Sequence, residues 1–183
     1  MTVSEEKKEL RKHIKALKAH YSLEERLNKS LKIERKILQL PQISNAGTIL
    51  LYHALPDEVN TELLLEQLSN RRGGTARIAL PVVTGDILIL KEYIPQMMES
   101  GYNKILEPSE TNTIDPAEID LAIIPGVAFN ISGNRMGRGK GFYDKLLPNL
   151  KCTTIGLAFD FQMVDKIPCE EFDKKLDMVI TED

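Results

Sequence analysis

The sequence predicts an α/β fold, a three-layer α/β/α sandwich around a mostly parallel sheet, in one domain spanning residues 1–183. Short apolar runs bounded by turn residues, typical of buried strands, alternate along the chain with segments of helical periodicity. A length of 183 residues suits one domain with a substantial core. The composition, 42% hydrophobic and 28% charged, is ordinary for a globular protein and indicates no fibrous or disordered region.

The first 40 residues predict a pair of helices packed on this domain. We expect a helix over residues 4–20, capped by Ser4 and with glutamates in its first turn. A capping box formed by Ser22 and Glu25 begins the second helix, and Pro41 ends it. Helical spacing predicts the buried stripes, which are Leu10, Ile14, Leu17 and Tyr21 in the first helix and Leu23, Leu27, Leu31 and Leu38 in the second.

Strands and two shorter helices are predicted over the rest of the chain. The strands are expected at residues 47–52, 76–83, 86–93, 121–124, 152–159 and 176–180. One helix is expected at residues 61–68, with Asn60 as its cap and with residues 71–74 as the segment that terminates it. The other is expected at residues 142–147 and is terminated by Pro148. Ligands of open α/β sheets bind beyond the carboxyl ends of strands, where His53, Asp57 and Glu58 follow the first strand. By itself, Glu58 could equally be a solvated loop carboxylate.

A glycine-rich, cationic loop after the strand at 121–124 predicts a phosphate site. Arg135, Arg138 and Lys140 fall within six residues and would repel one another unless an anion lay among them. The loop is neither of the common nucleotide motifs, because Gly141 stands where a Walker loop needs Ser or Thr and Phe142 where a dinucleotide motif needs Gly. A solvated loop merely turned by its glycines remains the alternative at this point.

Composition limits the classes of partner and the compartment. The net charge of −3 argues against bulk attraction to nucleic acid or to an acidic membrane surface. Cys152 and Cys169 lack metal-ligand spacing, and no apolar signal segment is evident, so we expect a cytoplasmic protein. RNA binding through the basic N-terminal helix is disfavoured because no aromatic residues are interleaved with its basic face. We expect a monomer.

Two segments of the central region carry a resemblance to a known family. They are I-P-G-V-A-F-N at residues 124–130 and G-N-R-M-G-R-G-K-G-F-Y-D at residues 133–144, and together they resemble the signature of the 5-formyltetrahydrofolate cyclo-ligases, also called methenyltetrahydrofolate synthetases. The resemblance implies ATP- and Mg²⁺-dependent conversion of 5-formyltetrahydrofolate to 5,10-methenyltetrahydrofolate, with release of ADP and phosphate through a phosphorylated formyl intermediate. The chain departs from the family pattern at Asn130, at Phe142 and at His53, where an apolar residue is common.

The same resemblance implies the site residues. Arg138 and Lys140 would be catalytic, and Asp144 and Asp177 would hold Mg²⁺. Substrate contacts fall on His53, Glu58, Arg138, Gly139, Lys140, Gly141 and Phe142. ATP contacts fall on Lys7 and Arg11, which match the family's N-terminal Lys-x-x-x-Arg element, and on Arg135, Met136, Gly137, Arg138, Gly139, Lys140, Gly141, Phe142 and Tyr143. The short segment Ile105–Pro108 also resembles a family element, but no role is assigned to Glu107.

Two other classes of function stay open on the residues alone. A sugar-phosphate isomerase on a related scaffold would use the basic loop for phosphate but would need neither ATP nor a metal ion. A non-catalytic module would bind folate or nucleotide without turnover.

Overall fold

The computed structural model describes residues 2–70, 76–170 and 173–183. Its helices are α1 (Val3–Lys18), α2 (Leu23–Leu38), α3 (Pro41–Asn45), α4 (Glu62–Ser69) and α5 (Phe142–Leu146). Its strands are β1 (Thr48–Leu50), β2 (Arg77–Thr84), β3 (Ile87–Glu92), β4 (Met98–Ser100), β5 (Leu106–Pro108), β6 (Thr113–Ile114), β7 (Leu121–Ile124), β8 (Ala128–Phe129), β9 (Arg135–Met136), β10 (Thr153–Leu157) and β11 (Met178–Ile180). Short 3₁₀ turns occupy Tyr102–Lys104, Pro116–Glu118, Leu147–Asn149 and Asp160–Gln162.

Seven strands form the central sheet, in the order β11-β10-β7-β1-β2-β3-β6. The five strands from β11 to β2 are parallel, whereas β3 and β6 are antiparallel at one edge. After β1 the chain passes to β2 on one side, while β7 and the later strands lie on the other side. The connections therefore change direction between β1 and β7, which is where ligands bind in open α/β sheets.

Helices cover both faces of this sheet, which confirms the predicted α/β/α arrangement. Alternate residues of each parallel strand belong to different cores, since successive side chains point to opposite faces. Ile49 and Leu51 pack with α2, α3 and α4, whereas Leu50 packs with α5 and the turn that follows it. The buried strands are apolar on both faces, as expected of a covered parallel sheet.

The two N-terminal helices lie in different places. The stripe Leu10, Ile14 and Leu17 of α1 packs on the hairpin β8–β9 through Ala128 and Met136. The predicted cap is wrong by two residues, because Thr2, not Ser4, accepts the hydrogen bond from the backbone N–H of Glu5 and completes a capping box.

The predicted capping box of α2 is confirmed, but of its predicted apolar stripe only Leu38 packs against the core. Leu23, Leu27 and Leu31 are 58%, 42% and 38% exposed. The buried side of α2 instead carries Ser30, Ile33, Glu34 and Ile37. Ser30 and Glu34 accept hydrogen bonds from the backbone N–H groups of Asn60 and Leu64, so two polar residues occupy positions that hydropathy assigned to solvent.

The start of α4 is close to its predicted position, because the Asn60 side chain accepts a hydrogen bond from the Glu62 N–H at 2.8 Å. Its predicted end at residues 71–74 lies outside the described residues. Within the described ranges, no helix has the length and apolar character needed to cross a membrane.

Candidate active site

A cleft opens at the carboxyl ends of β1 and β7, where the sheet connections change direction. It encloses about 990 Å³, counting solvent at its mouth. The loop after β1, the loop after β7, the glycine-rich loop and α5 form one part of its wall, and β2, β3 and the two-stranded ribbon β4–β5 form another. The predicted site residues that line it are His53, Glu58, Arg135, Gly137, Arg138, Gly139, Lys140, Gly141, Phe142, Tyr143 and Asp144.

The loop after β1 is held as a closed arch that presents Glu58 to the cleft. The Tyr52 hydroxyl donates to the carbonyl of Val59 at 3.0 Å, and the Thr61 hydroxyl donates to the carbonyl of Tyr52 at 2.6 Å. Within the arch, one Glu58 carboxylate oxygen accepts from the N–H of Leu55 at 3.0 Å. These buried hydrogen bonds fix the backbone, so Glu58 keeps one orientation.

Ion pairs join this arch to α1 and to the glycine-rich loop. Arg138 donates to Glu58 at 3.1 Å and to Asp57 at 2.5 Å, and Lys18 of α1 donates to the other oxygen of Asp57 at 2.8 Å. Burial alone would raise the pKa of Asp57, but hydrogen bonds from Lys18 and Arg138 outweigh it, and this pKa lies below its ordinary value. Burial raises the pKa of Glu58 although the Leu55 N–H and Arg138 oppose the shift.

Arg135 is part of the cleft wall. Its side chain is 3% exposed, donates to Asp144 at 2.7 Å and to the carbonyl of Pro125 at 3.2 Å, and lies over the Tyr143 ring at 5.5 Å. Burial raises the pKa of Tyr143, so its hydroxyl stays protonated near neutral pH. The mutual repulsion predicted for the three cations is therefore relieved in part by carboxylates of the protein itself.

Lys140 differs from the two arginines. It is exposed, it lines the cleft, and no carboxylate of the described residues pairs with it. Its neighbour Phe142 meets Tyr102 edge to face, with ring centroids 6.1 Å apart. The cleft thus has an exposed cation at the glycine-rich loop and an aromatic surface beside it.

The two residues of α1 that were predicted to contact the nucleotide, Arg11 and Lys7, have different partners in the structure. The Arg11 guanidinium donates to the carbonyl of Gly137 at 3.0 Å and lies against Gly139, so it supports the glycine-rich loop from behind. Lys7 pairs with Glu170 and Asp173. Burial would lower the pKa of Lys7, but these two partners raise it. Neither residue is among those that line the cleft, and Met136 is buried in the core beneath α1.

The structure does not bring the two predicted metal ligands together. Asp144 lies on the cleft wall, paired with Arg135 near the carboxyl end of β7. Asp177 accepts from the backbone N–H and the hydroxyl of Thr154, near the amino end of β10. In a parallel sheet these are opposite ends. No cluster of three or more metal-ligating side chains occurs among the residues that the structure describes.

Several residues that position the site were not predicted. Lys18 and Asp57 complete the ion-pair network, and Gln162 donates to the carbonyls of Gly126 and Val127 and so holds the loop after β7. Only Asp57 had a signal in the sequence, its place just beyond a strand. Lys18 and Gln162 act through long-range contacts that local pattern does not encode.

An open α/β sheet whose cleft joins a cationic glycine-rich loop to an aromatic wall is typical of enzymes that bind anionic small molecules. Residues 3–182 match the model of the 5-formyltetrahydrofolate cyclo-ligase family. Curated relatives with that name include a mouse (Mus musculus) protein, 32% identical over 100% of this chain and 97% of its own, and one from Escherichia coli (strain K12), 34% identical over 80% of this chain and 84% of its own.

Solved structures agree with the sequence relatives. The 5,10-methenyltetrahydrofolate synthetase of Aquifex aeolicus superposes with a TM-score of 0.86 at 32% identity, covering 96% of this chain and 89% of its own. The 5,10-methenyltetrahydrofolate synthetase of Mycoplasma pneumoniae superposes with a TM-score of 0.77 at 30% identity, covering 97% of this chain and 99% of its own. The chain belongs to the 5-formyltetrahydrofolate cyclo-ligase family and is an enzyme of the ligase class. Membership of a ligase family argues against the isomerase and the non-catalytic alternatives.

Proposed function

We propose that the cleft binds 5-formyltetrahydrofolate and ATP and converts them to 5,10-methenyltetrahydrofolate, ADP and phosphate. The observation that carries the proposal is a single cleft in which Glu58, Arg138 and Lys140 share a wall with Tyr102 and Phe142. Family membership supports the folate substrate and ATP as co-substrate. The chain acts as one catalytic domain in this proposal, because α1 contributes both Arg11 and Lys18 to the support of the site.

The chemical problem is that the oxygen of an N-formyl group is a poor leaving group. In the proposed reaction this oxygen attacks the γ-phosphorus of ATP, the bond to the bridging oxygen breaks, and ADP leaves. The resulting iminium phosphate is attacked at its carbon by N10 of the folate, which loses its proton, and inorganic phosphate then departs. The protein's task is to align the two substrates and to balance the charge that moves between them.

The residues of the cleft divide this task. Lys140 and Arg138 face the transferring phosphoryl group, and the backbone of Gly137, Gly139 and Gly141 lets the nucleotide approach closely. Glu58 and His53 contact the folate, and Glu58 also orients Arg138 through their hydrogen bond. Tyr143 stays neutral and supports Arg135. Arg11 and Lys7 act from α1, Arg11 by holding Gly137 and Lys7 by holding the segment at Asp173.

A magnesium ion fits this site in one way. Mg²⁺ takes one or two protein carboxylates together with phosphate oxygens of the substrate, which requires no cage of protein ligands. Asp144, on the cleft wall, would hold the ion with the nucleotide phosphates, and the ion would neutralise phosphate charge. Asp177 has no part in this proposal because its carboxylate is bonded to Thr154 near the amino end of the sheet.

The test is to mix the purified protein with MgCl₂, ATP and 5-formyltetrahydrofolate. Methenyl product is followed by its near-ultraviolet absorbance, and ADP is followed in the same samples. We expect the two to rise in equal amounts and to stop when the metal is chelated. ADP without methenyl product would mean that the acceptor is wrong, and the absence of both products would contradict the proposed reaction.

A further inference from the structure

A carboxylate in the cleft has no partner among the residues that the structure describes. Glu107 of β5 lines the cleft and is only 8% exposed, yet no described residue donates a hydrogen bond to it or forms an ion pair with it. The side chain lies directly on the backbone of Gly101. A Cβ atom at that position would overlap the Glu107 carboxylate, so the absence of a side chain at residue 101 makes room for it.

This arrangement has no evident structural purpose. Buried carboxylates are normally paired, because an unpartnered charge loses its hydration without compensation. Across the ribbon β4–β5, Glu107 stands in register with Glu99, which is exposed, and directly opposed like charges destabilise a strand pair. A nearly buried carboxylate that lines a cleft and has no partner among the described residues is typical of a site that a ligand completes.

The surroundings of Glu107 define the ligand it would accept. The ribbon and α5 provide Tyr102, Ile105, Leu106 and Phe142, so the wall here is apolar and partly aromatic. The cations of the cleft belong instead to the glycine-rich loop and to β9. A flat heterocycle with N–H donors along one edge would place its faces on the apolar wall and its donors on the carboxylate.

The other two carboxylates that line the cleft already have partners, and Asp144 accepts a hydrogen bond from Arg135. Glu58 accepts from Arg138 with one oxygen and from the Leu55 N–H with the other. Glu107 therefore has more free acceptor capacity for a neutral ring edge than Glu58 has.

We propose that Glu107 recognises the aminopyrimidinone edge of the pterin ring in the folate substrate. The ring N–H and the adjacent exocyclic amino group would each donate to one carboxylate oxygen, a charge-assisted two-bond contact. Glu107 is then a residue that determines specificity for the folate substrate. This inference rests on the proposed function for the identity of the substrate.

The first test is Glu107→Gln, which keeps the shape but removes the charge and one acceptor. We expect the KM for 5-formyltetrahydrofolate to rise about 10- to 100-fold, the loss expected for charge-assisted hydrogen bonds, while the KM for ATP stays within about twofold. The melting temperature should stay the same or rise, because an unpartnered buried charge is removed. The matched control is Glu99→Gln, the same change on the neighbouring strand, which should alter neither KM.

The second test uses the unaltered protein. Binding of 5-formyltetrahydrofolate and of its 2-desamino analogue is measured by calorimetry without ATP. For the unaltered protein, we expect the Kd of the analogue to exceed that of 5-formyltetrahydrofolate by about the factor by which Glu107→Gln weakens binding of 5-formyltetrahydrofolate. For Glu107→Gln, we expect the two ligands to have nearly the same Kd. Equal binding of both ligands by the unaltered protein, or a raised KM for ATP in Glu107→Gln, would overturn the inference. If the unaltered protein does not bind 5-formyltetrahydrofolate, the proposed function fails together with it.

Discussion

Lys140 and the two arginines of the glycine-rich loop region share a charge but differ in their contacts. Arg135 and Arg138 already hold carboxylates of the protein, and Arg135 is nearly buried. Lys140 is exposed and lacks such a partner among the described residues. A cation without a protein partner is free to meet a phosphoryl group, so the loss of Lys140 should affect catalysis more than folding.

We therefore expect Lys140→Ala to lower kcat by about 10²–10³-fold, the usual effect of losing one electrostatic stabiliser of a transition state. Its melting temperature should not change, since no described contact is lost. The measurement is steady-state formation of methenyl product, with Lys151→Ala, another exposed lysine outside the cleft, as the control. Turnover of Lys140→Ala at the unaltered rate would remove Lys140 from the mechanism.

The contacts of individual side chains were only partly predictable from the sequence. The crowding of Arg135, Arg138 and Lys140 predicted an anion-binding loop, but it could not reveal which of them the protein neutralises itself. The same limit applies to Asp177. Its place in the last predicted strand was compatible with metal binding, whereas its side chain lies on Thr154 in a neighbouring strand, a contact between residues 23 apart in the chain.

At the scale of elements, the hairpin β8–β9 is joined to the segment before β11 at Gly133. This residue has φ of 79°, and its carbonyl accepts from the Leu176 N–H at 2.8 Å. A Cβ atom at Gly133 would overlap the Leu176 carbonyl oxygen. Gly85, in the turn between β2 and β3, has a similar φ of 61° but open space around it. Comparison of Gly85 with Gly133 therefore distinguishes the cost of left-handed backbone from the cost of steric overlap.

We expect Gly85→Ala to lower the free energy of unfolding by about 1–2 kcal/mol, the cost of a side chain in left-handed backbone. Gly133→Ala should lower it by a further ~1–3 kcal/mol, because the overlap with Leu176 must be relieved by movement. Urea denaturation of both variants gives the comparison. Equal losses would show that the hairpin does not pack tightly on the C-terminal segment.

Helices α2 and α4 meet around a buried glutamate. Glu34 is 1% exposed and accepts from the Leu64 N–H, and burial raises its pKa to about 7. In the unfolded chain this pKa is near its ordinary value of 4.5. At pH values between 4.5 and about 7, Glu34 is therefore protonated in the folded protein but ionised in the unfolded chain. The contribution of Glu34 to stability therefore falls as pH rises through this window and stays low above it.

Glu34→Gln should remove this dependence, because the amide oxygen can still accept from Leu64 and carries no charge. We expect the variant to be more stable than the unaltered protein by on the order of 1–3 kcal/mol at about pH 8, with little difference at about pH 5. Urea denaturation at the two pH values tests this, with Glu66→Gln on the exposed side of α4 as control. A difference that is the same at both pH values would contradict the account.

The buried side of α2 could not be predicted from hydropathy. The leucine spacing was correctly taken as one helical stripe, but the opposite stripe of Ser30, Ile33, Glu34 and Ile37 faces the sheet. Tertiary hydrogen bonds to Asn60 and Leu64 compensate its polar members, and these partners belong to a segment about 30 residues away. Hydropathy counts side chains one element at a time and cannot include such partners.

At the scale of the whole molecule, the cleft combines parts that are far apart in the chain. Apolar runs predicted all five parallel strands of the sheet, and the position of Glu58 just beyond the carboxyl end of the first strand predicted ligands near it. The ribbon β4–β5 had no such signal, because its strands, Met98–Ser100 and Leu106–Pro108, contain no apolar run. One side of the cleft was therefore predictable, whereas the side that carries Glu107 depended on the fold.

The exposed leucines of α2 bear on the predicted monomer. Leu23, Leu27 and Leu31 form one short row over about two turns, which is small beside the roughly 800 Å² that each partner buries in a stable interface. We expect sedimentation equilibrium to give the mass of one chain, 20.7 kDa. A mass of twice that value, lowered by Leu27→Glu, would show instead that this row is an interface.

The central claim is that the formyl oxygen of the folate is phosphorylated by ATP in this cleft. The most direct measurement uses 5-formyltetrahydrofolate labelled with ¹⁸O in its formyl group and determines the mass of the phosphate released. We predict that each phosphate formed with a molecule of methenyl product carries one ¹⁸O atom. Unlabelled phosphate accompanying methenyl product would contradict the claim, because the formyl oxygen would then have left by another route.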